Sequence, residues 1–144
     1  MFKRILVPTD GSDITQKAVQ TSIDLARALG AEIHTICVKE PFPYGAISEM
    51  QPTPPQEFFD AQERISTRHV AAVAEACRLA GIPCTALTVE ALHPWEAIIE
   101  HAEKMQCDLL VMASHGRRGV SALLLGSETQ KVLTHTKTPV LIVR

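Results

Sequence analysis

Short apolar, β-branched runs alternate with longer amphipathic stretches along this chain, and that alternation restricts the fold more than any other feature. KRILVP (3–8), AEIHTICV (31–38), PCTALTV (83–89), DLLVMA (108–113) and PVLIV (139–143) have the length and composition of strands. Three of them are nearly continuous hydrophobic runs, as strands buried on both faces must be. Strands that alternate with helical stretches build a parallel sheet covered by helices on both sides. The expected fold is therefore α/β, a single-domain open parallel five-stranded sheet occupying residues 1–144.

The stretches between the strands carry helix signals. ITQKAVQTSIDLARALG places Ala18, Ser22, Leu25, Ala26 and Leu29 at helical spacing and stops at Gly30, a C-terminal glycine. Residues 56–80 form a long helix candidate with Ile65, Val73, Ala76, Cys77 and Ala80 on one face and Gly81 after it. PWEAIIEHAEKM opens with Pro94 in the first turn and acidic residues early, both start signals. A last helix is expected from about Val120 or Gly126 to Thr136, before Thr138-Pro139 begins the final strand. Residues 39–56, KEPFPYGAISEMQPTPPQ, hold five of the nine prolines and break the pattern. So long a connection reads either as a passive or disordered covering or as a lid over a ligand.

Composition narrows the partners. A chain of 144 residues that is 46% hydrophobic and 21% charged has the profile of one globular domain with a sizeable core. With 14 basic against 16 acidic residues the net charge is −2, so nothing draws nucleic acid or an anionic membrane surface electrostatically. Cys37, Cys77, Cys84 and Cys107 contain no CxxC pair and lack histidines at metal-ligand spacing, against a zinc site or a disulfide framework. MFKRILVPTDGS leads straight into a strand without a secretory h-region, and no apolar run approaches membrane-spanning length. The expectation is a cytoplasmic protein with reduced thiols.

Right-handed crossovers, with the first three strands winding one way and the last two the other, give the sheet order 3-2-1-4-5. Ligands of such sheets bind outside the carboxyl ends of the strands where the order reverses, here between the first and fourth strands. Two segments end there. In VPTDGS, Pro8 closes the strand and Thr9, Asp10 and Ser12 emerge beyond it. Asp10 can accept hydrogen bonds from ribose hydroxyls or hold a divalent cation beside phosphates, while Asp10 and Ser12 are equally good helix N-caps.

The second segment is ASHGRRGVSALLLGSETQ, residues 113–130. Gly116 and Gly119 let backbone amides approach an anion, and Gly126-Ser127 would open a helix whose N–H groups point at a phosphate. Arg117 and Arg118 add charge, and Ser114, Ser127 and Thr129 add hydroxyls. The plainer alternative is a glycine-shaped loop, with Ser127 as a cap and Leu123 to Leu125 as core contacts. His115 has no neighbouring nucleophile. Neither a Walker A loop nor GxGxxG is present, which excludes a standard NTPase loop and a dinucleotide fold.

ILVPTDGS, ASHGRRG, LLLGS and the closing TPVLIVR together resemble the universal stress protein family over essentially the whole chain. The family's ATP-binding branch carries a glycine, two residues, a glycine, nine residues, then a glycine with Ser or Thr. Here Gly116 and Gly126-Ser127 keep the nine-residue spacing, and Ala113 stands in place of the first glycine. If Ala113 is still in the strand, its methyl only narrows the pocket floor. The resemblance implies that Pro8, Thr9, Asp10 and Val38 line the adenine and ribose side. It implies that Met112, Ala113, His115 and Gly116 approach the ribose and phosphates, with Gly126, Ser127, Glu128 and Thr129 holding phosphates at the helix start. Glu128 brings a carboxylate among these positions, a charge that Mg²⁺ or Mn²⁺ near Asp10 would offset. The resemblance further implies a cytoplasmic stress-resistance protein, dimeric through Val140, Leu141, Ile142 and Val143 of the last strand, whose edge needs covering. No residue is an obvious general base for water attack, so slow or no ATP hydrolysis is expected. A partner-binding module without nucleotide and a nucleotide hydrolase are the other two functions the same residues allow.

Overall fold

The computed structural model describes residues 1–41, 56–116 and 124–144. The segment 42–55, most of the expected lid or covering, lies outside the described residues. The elements run β1 (Arg4–Pro8), α1 (Asp13–Leu29), β2 (Glu32–Lys39), α2 (Gln56–Ala80), β3 (Cys84–Glu90), α3 (Pro94–Lys104), β4 (Leu109–Ala113), α4 (Ser127–His135) and β5 (Val140–Val143). All strand pairs are parallel and the sheet order is β3-β2-β1-β4-β5, as the crossover rule requires.

The period of two along the central strands splits the core into two layers. Ile5 and Val7 of β1 and Leu109 and Val111 of β4 point to one face. There they meet Ala18, Val19, Ile23 and Ala26 of α1 and Val73 and Cys77 of α2. Leu6, Leu110 and Met112 point to the other face and meet Ile98 and Ala102 of α3 and Val132 of α4. Each fully buried side chain of this size contributes about 1.5–3 kcal/mol.

Helix α1 has the start and stop that its sequence requires. Ser12 accepts the Thr15 N–H as N-cap, and Gly30 takes the left-handed conformation at φ 66°, its N–H returning to the Ala26 carbonyl. The small residues Ala18, Ser22 and Ala26 are fully buried and bring the helix close to the sheet. Ser22 donates its hydroxyl to the Ala18 carbonyl at 2.8 Å and so loses nothing by burial. Leu25 and Leu29 flank this spine, only partly buried. On α2 the buried stripe is Ser66, Val70, Val73 and Cys77. Ile65, expected on that face, is 42% exposed. One helical residue is a rotation of about 100°, so choosing Ser66 for the sheet carries its neighbour Ile65 off it.

Two histidines lie inside the α3 side of the core. His34 of β2 and His101 of α3 are buried, with ring centroids 5.9 Å apart. His34 Nε2 meets Glu32 Oε1 at 3.2 Å, and Glu32 also accepts from Arg4 Nε at 2.7 Å. His34 Nδ1 and His101 Nε2 have no hydrogen-bond partner among the described residues. Burial, followed by the charges of His34 and Lys104, holds the His101 imidazole below its usual value of 6.5. A base whose folded pKa is depressed takes up its proton more readily in the unfolded chain. Its stabilising contribution is therefore complete above pH 6.5 and is lost as pH falls below it. The urea midpoint should drop between pH 6.5 and about 5, above the range in which exposed carboxylates titrate, and His101→Phe should flatten that slope.

Candidate functional site

The crevice originates in the hydrogen-bond alternation of β1. Lys3 O and Thr9 N bond to β2, at Glu32 N and Ile36 O, whereas Arg4 O bonds to Asp108 N on the β4 side. Peptide groups alternate sides along a strand, so Pro8 turns toward β4, where it has no N–H to donate. Pairing of β1 with β2 continues to Pro8↔Ile36, but pairing with β4 is limited to Ile5↔Leu109 and Leu6↔Leu110. Beyond that point the two strands part, and the chain after each enters the opening.

On the β1 side, Asp10 is held in one orientation. Its Oδ1 accepts the Ser12 N–H at 2.9 Å and the Thr15 hydroxyl at 2.8 Å. Its Oδ2 faces Gly116, where an added Cβ would lie 2.5 Å away. Ser12 therefore does the capping and Asp10 is the residue that reaches across, which separates two roles the sequence leaves open. Gly11 sits at φ 77°, and any Cβ there would collide with the His69 ring of α2.

On the β4 side the strand runs through Ala113, which pairs with Val143. Gln106 is the one non-glycine residue at positive φ among the described residues, so Ala113 bears no left-handed strain and narrows the floor by a methyl. Ser114, buried, accepts the Gly126 N–H on its carbonyl at 2.7 Å, and its hydroxyl meets His115 Nδ1 at 3.1 Å. A Cβ on Gly126 would come within 3.1 Å of His115 Cα, so only glycine lets the start of α4 close on this turn without displacement. Thr129, also buried, donates its hydroxyl to Ala113 O at 3.0 Å and fastens the first turn of α4 to the end of β4.

The expected positions thus divide by role. Gly116 approaches Asp10 and Gly126 approaches His115. Pro8 and Ala113 are the last residues of β1 and β4, Thr9 follows Pro8, Ser127 opens α4, and Val38 is half-buried near the end of the neighbouring β2. Met112 buries its side chain among the α3 and α4 residues, and as Leu110 N and Ser114 N bond to Pro139 O and Val143 O its backbone faces β5, so the expected approach to ribose is not made by its side chain. The Thr129 hydroxyl is committed to Ala113. Arg117, Arg118, Gly119 and Leu123 lie outside the described residues. Among the described residues no three His, Cys, Asp or Glu side chains gather into a metal site. Asp10 could hold a cation only together with oxygens that a ligand supplies.

Glu128 departs from its expected place. Its Oε2 accepts the Trp95 N–H at 2.9 Å, at the start of α3. The N-cap of α3, His93, makes no side-chain capping bond, and Glu128 supplies one from a neighbouring helix. Trp95 and His135 complete the junction with ring centroids 4.5 Å apart. Sequence reasoning misses this role, and those of Ser114 and His69, because each depends on an element distant in the chain; only the Gly11 position hints at a close neighbour. A groove of about 430 Å³ between α1 and α2, lined by Gln16, Val19, Arg68 and His69 among others, touches the other side of the turn at Thr9 and Gly11.

A model of the universal stress protein family matches residues 1–144. The chain is 35% identical to a universal stress protein of Thermus aquaticus over the full length of both, and 31% identical to one of Methanocaldococcus jannaschii, covering 100% of this chain and 83% of that one. Among solved structures it is similar to a universal stress protein in complex with cAMP, at 26% identity and a TM-score of 0.68, covering 99% of this chain and 98% of the other. Glu128→Ala should cost about 1 kcal/mol, the usual cost of a lost helix cap, read as a lowered urea midpoint.

Proposed function

Since the chain belongs to the universal stress protein family over its whole length, we propose that it is an adenine-nucleotide-binding regulatory protein, with ATP as ligand. The convergence of Asp10, Gly116 and Gly126 at the parting of β1 and β4 carries this reading, because both glycines lie so close to neighbouring segments, Gly116 to Asp10 Oδ2 and Gly126 to His115 Cα, that a side chain at either would displace them. The Asp10 carboxylate would accept ribose hydroxyls, and the amides of Ser127 and Glu128 at the start of α4 would receive phosphate oxygens, the Gly126 N–H being held by the Ser114 carbonyl. Pro8, Thr9 and Val38 would border the base. The cAMP complex of a related protein supports the choice of an adenine nucleotide. With the Glu128 carboxylate engaged by Trp95, the charge it would have opposed to the phosphates is directed toward α3. A divalent ion would be carried in by the phosphates, with Asp10 as the nearest carboxylate.

Binding with slow or no hydrolysis is part of this reading, since no residue of the sequence stands out as a general base for water attack. The protein would act in the cytoplasm as a homodimer. Strand β5 lies at one edge of the sheet, with Leu141 38% exposed and Val140, Ile142 and Val143 half-buried, which favours covering of this edge by a second copy. Leu141→Lys should convert the dimer to monomer in light scattering with the fold intact by circular dichroism. Isothermal titration with ATP and Mg²⁺ should give binding in the millimolar range or tighter, and Asp10→Ala should weaken it about tenfold, roughly 1.4 kcal/mol. Absence of heat at millimolar ATP would replace this reading with a partner-binding module, and turnover abolished by Asp10→Ala would replace it with a hydrolase.

A further inference from the structure

The four cysteines, which the nucleotide reading leaves unused, differ sharply in their surroundings. Cys37 and Cys107 are buried, and burial pushes the Cys107 thiol up to about 11, where thiolate is scarce at neutral pH. Cys77 and Cys84 are brought together by the way α2 ends. The Ile82 N–H returns to the Cys77 carbonyl at 2.9 Å and the Gly81 N–H to the Arg78 carbonyl at 3.1 Å, with Gly81 left-handed at φ 71°. This reversal, a glycine-dependent helix stop, leads after Pro83 into β3. Cys84, the first residue of β3, then lies against Cys77 of the last turns of α2. Cys77 is fully buried in the α1 and α2 core layer, and Cys84 packs against that same layer while only partly buried. Among the described residues β3 pairs only with β2, at one end of the strand order, and Cys84 is only partly buried. An oxidant therefore has a path to Cys84.

The geometry points to a reversible intramolecular disulfide between Cys77 and Cys84, formed when the protein meets a hydroperoxide. The two sulfurs have unequal roles. The hydrogen bond donated by Cys77 lowers the pKa of the Cys84 thiol against the opposing effect of burial. The Cys77 thiol is raised by that same bond, then by burial and by the charge of Cys84. The pair therefore gives up its first proton from Cys84, the more accessible sulfur. In the first step the Cys84 thiolate attacks one peroxide oxygen, the O–O bond breaks, and the departing hydroxide takes a proton and leaves as water. Cys84 is then a neutral sulfenic acid, and two of the three causes that raised Cys77 are gone. In the second step the Cys77 sulfur attacks the Cys84 sulfur, the S–O bond breaks, and the hydroxyl leaves with the Cys77 proton as a second water. Two thiols have lost two electrons and two protons, and one hydrogen peroxide has become two waters. A dithiol reductant reverses the change.

The experiment uses the full chain, reduced and freed of reductant, treated with hydrogen peroxide and then alkylated in denaturant. The expected result is a mass lower by about 2 Da before alkylation, two cysteines protected from the alkylating reagent, and a peptide in which Cys77 is joined to Cys84. Dithiothreitol should restore all four to alkylation. In Cys77→Ala, Cys84 should proceed to sulfinic acid, a gain of about 32 Da, since no neighbour intercepts the sulfenic acid. Cys84→Ser should leave the remaining three thiols unoxidised at the same dose. The proposal is overturned if the wild-type chain keeps four alkylatable cysteines, if Cys84 overoxidises without a cross-link, or if the disulfide joins any other pair or two chains. The wild-type measurement decides the matter even if a variant folds poorly.

Discussion

Everything at the upper end of this molecule depends on the separation of β1 from β4 after only two paired positions. Proline at position 8 ends the pairing on one side alone, because the peptide groups of successive residues face opposite neighbours. Toward β2 the strand continues, and Thr9 N still bonds to Ile36 O at 2.9 Å. The opening is therefore one-sided and rigid, an open cleft with a firmly paired strand as its wall. The buried layers below make the same point energetically. Ile5, Leu6, Leu110 and Val111 are completely inaccessible, so the strands cannot slide to close the gap without exposing core on one face or the other.

Around that cleft, side chains with hydroxyl groups act chiefly on the backbone and leave the opening to glycine. The Thr15 hydroxyl, with the Ser12 N–H, orients Asp10, and the Thr129 hydroxyl holds the Ala113 carbonyl. Thr35, wholly buried on β2, donates to the Val7 carbonyl at 2.8 Å one residue before the break. Each bond is worth about 1 kcal/mol, and together they fix the cleft before any ligand arrives. A ligand meeting such a site spends less of its affinity on ordering the protein.

How much of this was legible in the sequence follows from how far each signal travels. Strand positions, the sheet order and the helix stops at Gly30 and Gly81 depend on local pattern and on chain handedness, and the structure reproduces them. The burial of α2 was readable over its second half, where Val73 and Cys77 are buried and Ala76 and Ala80 pack against the same core, but not at Ile65, whose place the sheet gives to Ser66 and Val70. Glu128 shows the other limit. Its position in the motif puts it beside phosphates, yet its carboxylate is drawn to the uncapped start of α3, a helix end that lies thirty-three residues earlier in the chain. No local pattern records that demand. The contact of His69 with Gly11 and the meeting of Cys77 with Cys84 are hidden for related reasons, the first by distance in sequence and the second by the shape of a turn.

Ala113 shows why the glycines of the motif are not interchangeable. A glycine is required where the backbone takes a positive φ or where another chain segment occupies the space of a Cβ. Gly11 meets both conditions, and Gly116 and Gly126 meet the second. Ala113 meets neither, for it is the last residue of a strand still paired with Val143, and its carbonyl is already engaged by Thr129. Replacing glycine at such a position removes freedom from the unfolded chain without imposing strain on the folded one, a change that stabilises by about 0.4–1 kcal/mol where the space exists. The departure at the first glycine is thus consistent with an intact cleft, because the geometry that opens it resides in Pro8, Gly116 and Gly126.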